Sequence, residues 1–213
     1  MAEKEATRSQ VLMSLAMLNP ALRRMAKLCP PIGDAPNQLE VFSVVSRHLI
    51  PLVDVFNSIE EQLDSIAEET DQISKTYTVL NQAAVACCGR IQYLQQLFET
   101  VDRSQNKIAD YRNAVETGQG KPLEIVMKEM LQDASSAAIP PLVSEEHIAA
   151  LEDALQQIKK LPPSLGDEYQ SSRVILHNHG AGNQFYHGGR GNMNHCSVTR
   201  PTVLALGYDA MRM

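Results

Sequence analysis

Apolar residues recur at intervals of three and four along most of the first 160 positions, the spacing that places side chains on one face of a helix. Residues 6–28 carry Val11, Leu12, Leu15, Leu18, Leu22 and Met25 in this register, with Pro20 predicted to break or kink the helix because it lacks a backbone donor. CPPIGDAP at 29–36 reads as a breaker region. The stripe resumes at Leu39, Phe42, Val45 and Leu49, and after Pro51 at Val53, Phe56, Ile59, Leu63 and Ile66, where Glu60, Glu61, Asp64, Glu68 and Glu69 take the solvent side. Asp71 is expected to cap a helix through Ile73, Tyr77, Leu80, Ala84, Cys87, Ile91, Leu94 and Phe98. The small residues Ala83, Ala84, Ala86, Cys87, Cys88 and Gly89 in its middle would let a neighbouring helix approach closely.

A break near 102–105 precedes a shorter helix with Ile108, Tyr111, Ala114 and Val115, stopped at Gly118. Pro122 suits the start of a helix over 123–138, whose inward side is Val126, Met127, Met130 and Leu131, and Pro140-Pro141 closes it. Ser144 is placed to cap a last helix striped by Ile148, Leu151, Leu155 and Ile158. Glu145 and Glu146 complement its N-terminal dipole, and Lys159 and Lys160 its C-terminal one. The pattern predicts an all-α bundle of five to seven helices.

Beyond the linker LPPSLG at 161–166 the pattern stops. Residues 173–199, RVILHNHGAGNQFYHGGRGNMNHCSVT, hold four His and no acid, and the unit Gly180-Ala181-Gly182-Asn183-Gln184 returns nine residues later as Gly189-Arg190-Gly191-Asn192-Met193. Each glycine would cost a helix about 1 kcal/mol relative to alanine, so a disordered Gly/Asn-rich tail is expected in the monomer. Two such units could instead stack between copies of the chain as cross-β strands with Asn and Gln ladders. The candidate assembly residues are Gly180, Gly182, Asn183, Gln184, Phe185, Gly189, Gly191, Asn192 and Asn194.

A net charge of −6 and few interleaved aromatics and cations argue against a nucleic-acid surface. Cys29, Cys87, Cys88 and Cys196 have no framework spacing, and the N-terminus lacks the apolar core of a signal peptide; reduced thiols in a cytoplasmic protein are expected. The first helix could meet a membrane through its stripe, but docking on the bundle explains the same stripe and is the preferred reading. His177, His179, His187, His195 and Cys196 match no metal-finger spacing, and no metal site is expected. GQGK at 118–121 echoes a phosphate-binding loop, yet Pro122 stands where Ser or Thr is needed and a helix precedes it, so a helix-to-helix turn is predicted. No nucleophile and base fall on strand-to-helix turns; neither catalysis nor a cofactor is expected.

Five segments, VFSVVSRHLIPLVD (41–54), LQQLFETV (94–101), DYRNAV (110–115), GQGKP (118–122) and LEIVMKEML (123–131), together resemble the SesA domain. This is the N-terminal domain of fungal NACHT and other P-loop NTPase receptors of the STAND class. The resemblance implies a helical, non-enzymatic module that signals in incompatibility or programmed cell death. The tail is similar to the short Gly/Asn/Gln amyloid motifs of such receptors, departing from them at Met193 and in its many histidines. It implies protein partners bearing a related motif, a second copy of the chain among them. The implied organisation is an N-terminal helix and linker (1–36), a SesA-like bundle (37–160), a linker (161–172), the motif (173–199) and an unassigned end (200–213). A helical adaptor that binds a partner helix, with the tail as a tether, is the alternative.

Overall fold

The computed structural model describes residues 5–35 and 39–165. These form helices and turns only: α1 (Arg8–Gly33), α2 (Glu40–Arg47), α3 (Leu49–Ser65), α4 (Asp71–Ser74), α5 (Tyr77–Asp102), α6 (Lys107–Thr117), α7 (Leu123–Ala137) and α8 (Glu145–Lys160). Leaving aside α4, a single turn, seven helices make the bundle, as the apolar spacing predicts.

The long helices α1 and α5 share the most extensive contact, with α2 and α3 flanking α1 and α6 and α7 flanking α5; α8 closes the far side over α7 and α3. The α1 stripe Val11, Leu15, Leu18, Leu22, Met25 and Cys29 is fully buried. So are Phe56 and Ile59 of α3 and Leu80 and Ala84 of α5, the two helices with the most extensive packing on α1. Phe42 of α2 sits edge-on to two rings, with centroids 4.9 Å from Phe98 and 5.2 Å from Tyr111. Such edge-to-face pairs add to the area they bury.

The prolines of α1 behave differently from expectation. Pro20, Pro30 and Pro31 all lie inside one continuous helix, and the breaker read at 29–36 begins only after Gly33. An interior proline costs about 3 kcal/mol. Here the residues around each proline are buried, so breaking the helix would expose Leu18 and Leu22 at one site and Cys29 and Ile32 at the other. Asn19 adds a direct tie: its buried amide donates to the Phe56 carbonyl at 3.2 Å and to Glu60 Oε2 at 2.7 Å. Thr7 begins the helix with a capping box, its N–H donating to Gln10 Oε1 at 2.8 Å.

Two other boundaries shift. The division after Leu39–Leu49 falls at His48, one residue before α3, and Pro51 sits in the first turn of α3, where its missing N–H has no helical acceptor to lose. Asp71 opens the single turn of α4 rather than capping the long helix, which starts at Tyr77 after a turn at Lys75 and Thr76. The remaining caps are as read: Gly118 ends α6, and Ser144 Oγ accepts from the His147 N–H at 3.3 Å.

Two glycines give opposite expectations. A Cβ at Gly33 would lie 2.8 Å from the Phe42 carbonyl oxygen and 3.0 Å from Ser46 Oγ, so α1 and α2 could not close. A Cβ at Gly89 would meet nothing within 4 Å. Gly33→Ala is therefore expected to destabilise by about 1–3 kcal/mol through overpacking. Gly89→Ala should stabilise by about 0.5–1 kcal/mol by restoring helix propensity. Urea denaturation of the two variants measures both.

Candidate interaction surfaces

The end of the described chain is held by a polar cluster. A helix begins with N–H groups that have no internal acceptor, and Pro122, the N-cap of α7, offers no side-chain oxygen to the first of them. The Tyr111 hydroxyl of α6 accepts from the Leu123 N–H at 2.8 Å instead. Ser164, beyond α8, donates its N–H to Glu124 Oε1 at 2.9 Å and its hydroxyl to Glu124 Oε2 at 2.7 Å. Its single proton being so used, Ser164 Oγ accepts from the Tyr111 hydroxyl across 2.9 Å. Burial pushes the Tyr111 phenol up, beyond the ordinary tyrosine range, so it remains a neutral hydroxyl. Tyr111, Glu124 and Ser164 thus hold the last described segment, 161–165, onto α6 and α7. Periodicity marks Tyr111 only as a core position and 161–166 as a linker; hydrogen bonds across 40 and 53 residues leave no local signal.

A second polar cluster joins α5 to α7. Arg90 Nε donates to Glu129 at 2.9 Å, Arg90 Nη1 pairs with Asp133 one turn later, and Lys121 Nζ lies 2.6 Å from Glu129. Burial alone would raise the Glu129 carboxyl, but hydrogen bonds from Lys121 and Arg90 hold it below its ordinary value. Asp133 is raised, by burial first and by the Glu129 charge, against Arg90. Lys121 is thereby engaged as a structural cation, and the 118–121 stretch is the turn between α6 and α7, with Gly120 at φ 65°.

Two thiols among the described residues are inert. Cys29 and Cys87 are buried, and burial pushes both up beyond the ordinary thiol range; Cys87 Sγ faces the Met130 carbonyl at 3.7 Å. Burial and the neighbouring Arg47 lower the His48 imidazole, against Asp153 and Gln157 of α8. Among the described residues no group of three or more His, Cys, Asp and Glu is placed to hold a metal ion.

On the outside, large apolar side chains are exposed at Met13, Met17, Ile50, Val79, Val85 and Ile108. Two of these, Met17 and Val85, stand near one seam. Ser14 Oγ donates to Asn81 Oδ1 at 2.7 Å across α1 and α5. Met17 follows Ser14 by three residues and Val85 follows Asn81 by four, so both stand on the outer flank of that contact. Gly89 lies one further turn along α5, facing open space. The candidate assembly residues Gly180, Gly182, Asn183, Gln184, Phe185, Gly189, Gly191, Asn192 and Asn194 lie outside the described residues. No helix among the described residues is long and apolar enough to cross a membrane.

The family model SesA, N-terminal domain on NACHT NTPase and P-loop NTPases, matches residues 19–136, from the middle of α1 to the last turn of α7. That is more than half of the chain, and the protein belongs to the SesA family. No curated protein and no solved structure matches it.

Tyr111→Phe removes the acceptor of the Leu123 N–H and the donor to Ser164. It is expected to cost about 1–3 kcal/mol, the penalty of a buried unsatisfied group. Amide exchange should rise locally at 161–165, which hydrogen-exchange mass spectrometry resolves from global unfolding.

The ion cluster predicts a pH signature. A depressed carboxyl stabilises the fold above its ordinary value and loses that contribution as pH falls through its folded value. Glu129→Gln should therefore destabilise on the order of 1 kcal/mol at neutral pH. The gap from the parent protein should close as pH drops below 4.5, the ordinary glutamate value. Asp133 has the opposite sign: its charge opposes folding at neutral pH, so Asp133→Asn should lose less there than Glu129→Gln. Urea midpoints across pH 3–7 test both.

Proposed function

We propose that this protein is a non-enzymatic, cytoplasmic signalling module of an NLR-like receptor system, acting in incompatibility or programmed cell death. Its helical domain is the cargo and its Gly/Asn-rich tail the assembly element. A partner bearing a related motif templates residues 173–199 into cross-β form, and the helical domains cluster around the fibre. The observation that carries this reading is the SesA match over 19–136, a domain described by its position on NTPases. The nine-residue Gly-x-Gly-Asn repeat downstream supports it, because Asn and Gln at fixed spacing can form hydrogen-bonded ladders between stacked chains.

A second reading is an adaptor whose helical surface binds a partner helix while the tail only tethers it. Val85 exposed beside half-buried Ala86, with open space at Gly89, favours it: a helix backbone could approach α5 closely there.

A peptide of residues 173–199 is expected to form thioflavin-positive fibres with a cross-β reflection and to seed the full chain. A peptide that stays soluble and unordered, even when seeded by related motifs, overturns the assembly reading. Deleting 171–213 should abolish clustering and signalling; partner binding and signalling that survive the deletion would establish the adaptor instead.

A further inference from the structure

The outer face of α1 carries a second stripe, opposite the buried one. Met13, Met17, Pro20, Arg24, Lys27 and Pro31 follow one another at intervals of four, three, four, three and four, and all six are exposed. Met13 and Met17 are 68% and 64% exposed, at the top of the large apolar side chains left in water. The other end of the stripe is cationic.

That cationic end is a local reversal of the protein's charge. The whole chain carries −6, but the 26 residues of α1 contain no Asp or Glu and four cations, Arg8, Arg23, Arg24 and Lys27. Arg8 is tied to the Leu63 and Asp64 carbonyls, and Arg23 Nη2 to Asn57 Oδ1 at 2.6 Å. Arg24 and Lys27 have no ion-pair partner among the described residues; the ion pairs there belong to Arg90, Arg103 and Lys121. With Pro20, Arg23 and Leu28 they line a shallow depression of about 540 Å³, and no carboxylate contributes to its wall.

Neither half of the stripe serves the fold. Its methionines touch solvent and its free cations lack counter-charges, while the opposite side of the same helix already supplies the core. The two halves do fit one kind of object. A phospholipid surface presents phosphate in one layer and hydrocarbon immediately beneath it, and a helix lying in its plane meets both at once. A soluble anion would engage the cations and leave the methionines idle; a purely apolar partner would leave the cations unpaired.

We propose that the outer face of α1 binds an anionic phospholipid bilayer, with Arg24 and Lys27 against headgroup phosphates and Met13 and Met17 in the acyl boundary. The helix does so in place. Its buried stripe stays in the bundle, so neither unfolding nor a spanning segment is needed.

The test is flotation of the full chain with phosphatidylcholine vesicles, with and without phosphatidic acid. Binding is expected to the acidic vesicles alone and to fall as salt is raised, because exposed charges are screened. Each cation near an anionic surface contributes about five-fold to partitioning, so Arg24→Gln/Lys27→Gln should lose about twenty-five-fold. Met13→Ser/Met17→Ser should weaken binding several-fold at low salt. Both double variants should keep the parent's helical circular dichroism and unfolding midpoint, since all four side chains are exposed. Inorganic phosphate should compete no better than sulfate of equal ionic strength. Failure to bind either vesicle, equal binding to both, or unchanged binding of the charge variant overturns the proposal. So does a methionine variant that binds as the parent does, an outcome that leaves a soluble anion or an acidic protein as the ligand of the cations. Retained binding in both variants would move the lipid contact to the Arg-containing residues beyond 165.

Discussion

The fold depends on keeping α1 whole. It lies against α5, α3 and α2 at once, so a break anywhere along it would uncouple the elements on either side. Three interior prolines work against that continuity. Fully burying a Leu or Met side chain contributes about 1.5–3 kcal/mol, and Leu15, Leu18, Leu22 and Met25 bracket Pro20 with four of them. The local penalty of roughly 3 kcal/mol is smaller than what would be exposed by relieving it. Asn19 works in the same direction, since its amide can reach the Phe56 carbonyl only while the turn before Pro20 remains helical.

This balance explains which parts of the bundle were legible in the sequence. Apolar spacing located every long helix, because burial of one face is the force that makes these helices stable. Gly118 and Ser144 were legible as stop and start because a cap acts on neighbouring residues. The prolines at 30 and 31 were misleading for the converse reason: a propensity rule is local, and Cys29, Ile32 and Gly33 are held by contacts from α2 and the core. The division at His48 was marked only approximately, by Pro51, which suits the first turn of the helix that follows.

The same distinction separates the polar clamp from the outer face of α1. The clamp of Tyr111, Glu124 and Ser164 is assembled from three segments, and no single window of sequence contains it. The outer stripe of α1 was written in the sequence all along, at the same three-and-four spacing as the buried one. The longer apolar run from Val11 to Met25 draws the eye as the core side, and the packing of α1 on α5 and α3 bears that out, burying Val11 through Cys29. How far Met13 through Pro31 stand out in solvent is visible only in the packed bundle.

Were the proposed clustering and the proposed lipid contact both to operate, they would reinforce each other through valency. Two cations and two methionines make a weak surface contact for one copy, as a single short anchor is reversible. When several copies are joined, each bound domain holds the others near the same surface, and the combined retention can exceed the single contact by about 10²–10⁴-fold. A stronger patch would hold the monomer at the membrane before any partner arrived and remove the dependence on assembly. In that case the small size of the α1 stripe would be the property that makes it responsive: weak in one copy, it would act only when the number of copies is large.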